Sequence, residues 1–211
     1  MTTGNGDEEI VEGRWARARR SSGGRSLLGA FLVIVVVPIL IGAAVVLLAG
    51  RDVAFEAVRR LTVRKFPDVQ WTDPAALARW REDAGRTPPV IVDARTPVEF
   101  QVSHLADAVL MDARRPSLRP LRGLAMNTPI VVYGSAGYRG ARLAHWLGEQ
   151  GYTNVSNLTG GIFRWADEGR PVVRGGRPTL EVHPYDQRWG LLLESRYRAR
   201  APDIQTPFAA P

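Results

Sequence analysis

Serine and histidine are the candidates for a nucleophile and its base in this 211-residue chain, because it contains no cysteine. Without cysteine, a thiolate nucleophile, a disulfide, a zinc–thiolate site and an iron–sulfur cluster are all excluded. Ser135 lies in a glycine-rich stretch, but a serine nucleophile needs a general base, and His145 could reach it only through the fold. Tyr133, two residues before Ser135, breaks the GxSxG pattern of serine hydrolases. We therefore expect an ordinary loop serine, with catalysis by Ser135 as the alternative.

Three charged residues, Asp93, Arg95 and Glu99, stand close together just after an apolar run. Opposite charges at the end of a buried strand predict an ion-pair network that supports the fold, and contact with a substrate is the alternative. Trp165 is likewise expected to be structural. The three histidines lie far apart in the sequence, so no metal site is expected. No cofactor is expected, and the glycine-rich stretch is not a P-loop, because Arg139 replaces its second glycine.

Short apolar runs alternate with amphipathic segments from Val69 onward. The runs favour strands buried in a parallel sheet, and the amphipathic segments favour helices. Strands are predicted at Pro89–Ala94, Pro129–Tyr133 and Asn154–Leu158, and helices at Ala75–Glu82, Arg139–Gln150 and Ile162–Glu168. Strands separated by helices predict an α/β fold with a parallel sheet flanked by helices.

Three motifs, in the right order, resemble the rhodanese-like domain family. The stretch IVDARTPVEFQVSHLADA, Ile91–Ala108, resembles the opening motif, and GGIFRWADEGRPV, Gly160–Val172, resembles the closing one. Between them, VVYGSAGYRGARLAHWL, Val131–Leu147, lies where the active-site loop belongs. The resemblance covers roughly Val69–Val173 and implies the rhodanese-like α/β fold for that part of the chain.

The resemblance also locates a missing nucleophile. The loop of that family reads Cys-x-x-Gly-x-Arg-Ser, and here Gly137 and Arg139 match while Gly134 stands at the position of the cysteine. Sulfur transfer requires a thiolate that carries the sulfur as a persulfide, and glycine has no side-chain atom for this. The resemblance therefore implies a catalytically inactive module that acts in binding, scaffolding or regulation, with a protein partner that the sequence does not name.

Two alternatives remain open. One is a sulfurtransferase-type enzyme that acts through residues other than cysteine. The other is a sensor of small oxyanions, because in the family the loop N–H groups and the following helix face an anionic sulfur. The residues of that anion-binding loop would be Gly134, Ser135, Ala136, Gly137, Tyr138, Arg139 and Gly140.

A long apolar run, Leu27–Ala49, contains no charged or amide side chain. As a helix it would be roughly 34 Å long, enough to cross the hydrocarbon core of a bilayer. The run predicts one transmembrane helix, and hence a single-pass membrane protein in contact with lipid. A cleaved signal peptide and a buried core helix are the alternatives.

Basic residues flank this run, five arginines before it and five basic residues after it, within a net charge of +7. Such clusters favour contact with lipid headgroups over nucleic acid. Because the flanks balance, orientation is weakly determined, and we expect a cytoplasmic N-terminus with the domain on the outer face.

The remaining segments complete the predicted organisation. Residues 1–26 are expected to form a disordered tail, and residues 50–68 an amphipathic helix on lipid or on the domain, or a continuation of the membrane helix. Residues 69–175 form the rhodanese-like domain. Residues 176–211 are an irregular C-terminal extension, which packs back on the domain or serves as a docking segment.

Overall fold

The computed structural model describes the backbone of residues 37–200 and the side chains of residues 50–200. The chain divides into two compact units, one ending at Gly50 and the other beginning at Arg51. Helix α1, Val37–Lys65, includes this boundary. Among the described residues, no helix is both long and apolar enough to span a bilayer. The predicted tail 1–26 and residues 27–36 of the predicted span lie outside the described residues.

A five-stranded sheet forms the centre of the unit that begins at Arg51. Its strands lie side by side in the order β1-β5-β4-β2-β3, and every neighbouring pair is parallel. The strands are β1 Gln70–Thr72, β2 Val90–Asp93, β3 Val109–Leu110, β4 Ile130–Tyr133 and β5 Val155–Leu158. The predicted parallel α/β fold is confirmed.

Four helices connect or follow these strands: α2 Pro74–Glu82, α3 Pro97–Val102, α4 Tyr138–Glu149 and α5 Gly161–Asp167. Helices α2, α4 and α5 match the predicted helices to within one residue. Helix α3 was not predicted, although its sequence carries a start signal. Thr96 and Glu99 form a capping box, in which each side chain accepts a hydrogen bond from the backbone N–H of the other residue.

The sheet is covered on both faces, and β4 shows how. Ile130 and Val132 pack with Leu147 of α4 on one face, whereas Val131 and Tyr133 belong to the core on the opposite face. Successive side chains of a strand point to opposite faces, so a strand between two cores must be apolar throughout. This explains why β4 is a continuous apolar run.

The part of α1 that belongs to this unit, residues 51–65, and the C-terminal extension both pack against the domain. From α1, Phe55 enters one core, and Thr62 is buried. Strand β6, Val172–Arg174, at the end of the predicted domain pairs with β7, Arg177–Thr179, of the extension. The extension continues with two short 3₁₀ turns at Trp189–Leu192 and Ser195–Tyr197. Its Val182 and Leu193 are fully buried, so the described part of the extension packs back on the domain. The compact unit that begins at Arg51 therefore includes the last part of α1 and the described part of the extension as well as residues 69–175.

Two glycines of α4 provide a matched test of this packing. A Cβ atom at Gly140 would overlap Asn157 Oδ1 and lie 3.0 Å from the backbone N of Gly134, whereas one at Gly148 meets nothing within 4 Å. We predict that Gly140→Ala lowers the free energy of unfolding by about 1–3 kcal/mol, as overpacking does. Gly148→Ala should raise it by up to about 1 kcal/mol through helix propensity. Urea unfolding of the full chain measures both, and equal effects would contradict this packing.

Candidate functional site

The site is built where two neighbouring parallel strands end. Asp93 is the last residue of β2 and lies in register with Tyr133, the last residue of β4. Because both strands run in the same direction, the segments that follow them start at the same edge of the sheet. Those segments are the start of α3 and the loop 134–137.

Asp93 is the centre of a fully buried network. Its carboxylate accepts hydrogen bonds from Arg95 Nε at 3.0 Å, Arg95 Nη2 at 2.7 Å and the Tyr133 hydroxyl at 2.6 Å. Arg95 Nη2 also donates to the carbonyl of Ser103, and Tyr133 Oη accepts from the backbone N–H of Leu105. Asp93, Arg95 and Tyr133 are all solvent-inaccessible. The network therefore holds the turn after α3 against the edge of the sheet. Its buried side chains are not accessible to a ligand.

The charge states in this network follow from its geometry. Burial alone would lower the pKa of Arg95, but the adjacent Asp93 carboxylate keeps that pKa above its ordinary value. Burial, reinforced by the charge of Asp93, raises the pKa of Tyr133. Arg95 is therefore a permanent cation and Tyr133 a neutral donor at physiological pH.

The loop 134–137 is held in place from the opposite side by α5. The backbone N–H groups of Ile162 and Phe163 donate to the carbonyls of Gly134 and Ser135 at 2.9 and 3.1 Å. A Cβ atom at Gly161 would overlap the Gly134 carbonyl oxygen, so only glycine permits this close approach. The closing motif therefore positions the loop in addition to packing the core.

Glu99 joins α3 to the loop through a second charged group. Arg139 donates two hydrogen bonds to the Glu99 carboxylate in a bidentate pair, from Nη1 to Oε2 at 2.7 Å and from Nη2 to Oε1 at 2.5 Å. The Ser135 hydroxyl donates to Glu99 Oε1 at 3.2 Å and accepts from Arg139 Nη2 at 2.7 Å. We expected Glu99 to share one network with Asp93 and Arg95. No hydrogen bond between Glu99 and either residue is found among the described side chains: the Glu99 carboxylate accepts from Thr96, Ser135 and Arg139 instead.

The Glu99 carboxylate is ionised and a weak base. Burial alone would raise its pKa, but the hydrogen bonds and charge of Arg139, with smaller contributions from Arg95 and the Thr96 N–H, lower that pKa to about 2. A carboxylate with so low a pKa is poorly suited to remove a proton from the Ser135 hydroxyl near neutral pH. His145 does not serve Ser135 either, because its Nδ1 lies 2.8 Å from Asp68 Oδ2 at the surface.

A cavity of about 350 Å³ opens beside the loop. Residues 135 and 136 of the loop and residues 138 and 139 at the start of α4 line one side of it. Helix α1 contributes Val58, Leu61 and Thr62. The C-terminal extension closes a third side with Tyr185 and Trp189. Sequence reasoning missed these walls, because nothing local in α1 or the extension indicates that they meet the loop.

The comparisons with known proteins agree with this architecture. A sequence model of the rhodanese-like domain matches residues 73–168. A sulfurtransferase from Allochromatium vinosum is 33% identical over 84 residues, which cover 40% of this chain and 78% of that protein. The chain belongs to the rhodanese-like domain family. The family expected from the three motifs is thereby confirmed.

Other relatives of this rhodanese-like protein carry different names. A tRNA uridine(34) hydroxylase from Shouchella clausii is 28% identical over 119 residues, 52% of this chain and 35% of that protein. The chain thus spans about a third of the length of the hydroxylases it matches. Among solved structures, a rhodanese-like domain protein from Staphylococcus aureus is 23% identical, covers 50% of this chain and 98% of its own, and has a TM-score of 0.42.

The rhodanese-like fold brings the predicted site residues together in two groups. Ser135 and Arg139 meet Glu99 at the loop, whereas Asp93 and Arg95 form the closed network beneath it. Trp165 lies away from both, in the core, where its Nε1 donates to the Pro171 carbonyl at 2.9 Å.

The Glu99 carboxylate should make stability depend on pH. Its folded pKa of about 2 lies below the ordinary value of 4.5, so its contribution is complete above pH 4.5 and is lost as the pH falls through 4.5 towards 2. The shift corresponds to roughly 3 kcal/mol. Urea unfolding should show Glu99→Gln less stable than wild type at pH 7, with the difference shrinking by pH 3. Glu82→Gln, at an exposed position, is the control. A difference as large at pH 3 as at pH 7 would refute this assignment.

Proposed function

We propose that this chain is a membrane-anchored rhodanese-like module that binds or scaffolds and does not transfer sulfur. The observation that carries the proposal is the absence of any cysteine in the chain. Gly134 occupies the loop position at which the family motif has its nucleophile, so no thiolate can take up a sulfane sulfur there. The names sulfurtransferase and tRNA uridine(34) hydroxylase describe the relatives, and the chain spans only about a third of the hydroxylases.

The neighbouring side chains support the inactive assignment. Ser135 is 6% exposed and is hydrogen bonded to Glu99 and Arg139. With a Glu99 pKa of about 2, Ser135 has no effective base in this cluster. Arg139, the loop cation that an anionic substrate would use, is already paired with Glu99. The sulfurtransferase alternative that acts through serine is therefore the weaker proposal.

Small-oxyanion sensing also stays a prediction. The Glu99 carboxylate would compete with an external anion for the same side-chain donors. The Glu99 carboxylate holds the loop arginine and the Ser135 hydroxyl, the side-chain donors that an external phosphate or sulfate would need. An incoming anion would have to displace an ionised, almost fully buried carboxylate. We therefore favour the binding module over the anion sensor.

The sulfur-transfer part of the proposal is tested with thiosulfate and cyanide. The unmodified chain should produce thiocyanate no faster than the uncatalysed reaction. Gly134→Cys would supply a thiolate and should take the outer sulfur of thiosulfate as a persulfide, with sulfite as the leaving group. Its Cβ would lie 3.0 Å from the Gly140 N and 3.2 Å from the Arg139 Cβ, so these neighbours must shift by tenths of an ångström. Gly148→Cys, at an open position of α4, is the matched control and should produce no more thiocyanate than wild type.

Thiocyanate production by the unmodified chain would overturn the inactive assignment. If Ser135→Ala then abolished that activity, the serine mechanism would gain support. If the activity survived Ser135→Ala, another residue would have to carry the sulfur.

The membrane part of the proposal is carried by the uncharged run Leu27–Ala49. We predict that the full chain stays in the membrane pellet after a carbonate wash, because burying so many apolar side chains in lipid is favourable by several kcal/mol. Leu→Asp substitutions at Leu40 and Leu47, two leucines of the run, should release the protein into the supernatant. Recovery of the unmodified full chain in the washed supernatant would overturn the anchor.

A further inference from the structure

The cavity beside the loop has the size and composition of a small-ligand site. Its volume of about 350 Å³ falls in the range of about 300–1,000 Å³ typical of such sites. Large apolar side chains that line it remain partly open to solvent: Leu61 is 66% exposed, Trp189 37% and Tyr138 36%. An apolar ligand that covers these side chains would remove their apolar surface from water, which stabilises the complex.

One cation stands at the rim of this cavity. Lys65 Nζ donates to the hydroxyl of Tyr138, a lining residue, at 2.7 Å. An ammonium group has three donors and the tyrosine keeps its own hydroxyl proton, so donors remain for a ligand. Arg139 lines the cavity too, but Glu99 neutralises its charge. Among the ion pairs of the described side chains, none involves Lys65.

The volume suits a ligand with one alkyl chain. At about 30 Å³ for each atom of the size of a water oxygen, the cavity has room for on the order of ten non-hydrogen atoms. That number suits a single medium-length alkyl chain.

We infer that this cavity binds a single-chain amphiphile with an anionic head, a medium-chain fatty acid being the simplest member of the class. The alkyl chain lies between Leu61 and Trp189, and the carboxylate meets Lys65 and the Tyr138 hydroxyl in charge-assisted hydrogen bonds. The inference rests on the proposed binding function and names its ligand class. It makes the loop one wall of an apolar site, no longer a centre of sulfur chemistry.

Photolabelling of the full chain in lipid nanodiscs tests this inference. The probe is a decanoic acid with a diazirine near the end of its chain, and mass spectrometry maps the labelled residues. We expect labels on Leu61, Tyr185 or Trp189, suppressed by excess unlabelled decanoate. Leu61→Asp should abolish this labelling, whereas Val53→Asp should preserve it. Both side chains belong to α1 and have nearly equal exposure, 66% and 65%, but only Leu61 lines the cavity.

The anionic head is tested separately with Lys65→Gln and with the diazirine derivative of decanol. Lys65→Gln should weaken competition by decanoate up to about fivefold, the size of an exposed charge contact, and leave labelling by the alcohol unchanged. Equal labelling of wild type by alcohol and acid would overturn the anionic head. Labels only outside the cavity, or equal loss in both aspartate variants, would overturn the site.

A third probe shows whether the alkyl chain in the cavity belongs to a free fatty acid or to a phospholipid. A phospholipid with a diazirine in one acyl chain should not label the cavity, and labelling by it in place of the acid would overturn the single-chain ligand. None of these outcomes depends on sulfur transfer. Thiocyanate production with cavity labelling intact would refute the inactive assignment alone, and loss of labelling without thiocyanate production would refute the ligand alone.

Discussion

The bidentate pair between Glu99 and Arg139 is the interaction on which the site depends. It joins the start of α3 to the start of α4, two segments that follow neighbouring strands, and it brings Ser135 into the same cluster. Glu99 is almost fully buried, so removing Arg139 would leave a buried charge without its partner, a change that typically costs about 3–5 kcal/mol. The pair therefore fixes the loop and also occupies the side chains with which that loop would hold an anion.

Two supports, one from α5 and one from Glu99, hold the loop in place. Its backbone is fixed by α5 through the carbonyls of Gly134 and Ser135, and its charged end is fixed by Glu99. Neither support involves the side chain at position 134, so the loop can fold with glycine there. Helix α1 and the C-terminal extension then add an apolar cavity against its outer surface. In the function that we propose, this cavity serves the rhodanese-like domain as a binding site.

The sequence predicted the features that rest on local patterns. Continuous apolar runs located β2 and β4, and the helical spacing of Leu143, Trp146 and Leu147 located α4, since burial on one or two faces leaves a periodic trace. Strands β1 and β3, of three and two residues, were missed because pieces so short have no periodicity and exist only through pairing. Helix α3 could have been found from its capping box, Thr96 with Glu99.

The sequence identified Glu99, Ser135 and Arg139 as candidate site residues, but it did not predict the contacts among them. Glu99 and Arg139 lie 40 residues apart, and only the adjacency of β2 and β4 brings them together. Nothing in the sequence distinguishes the pairing of Glu99 with Arg139 from a pairing with Arg95, because the three side chains meet only in the fold. The cavity was beyond prediction for the same reason, since its walls come from three segments that meet only in the fold.

Intact-mass spectrometry of the full chain after incubation with thiosulfate examines the central claim in a single step. A chain without a thiolate should keep its mass, while Gly134→Cys, treated in the same way, gains the mass of one sulfur atom. A sulfur adduct on the unmodified chain, removed by cyanide, would show that this domain transfers sulfur by a route that its residues do not reveal.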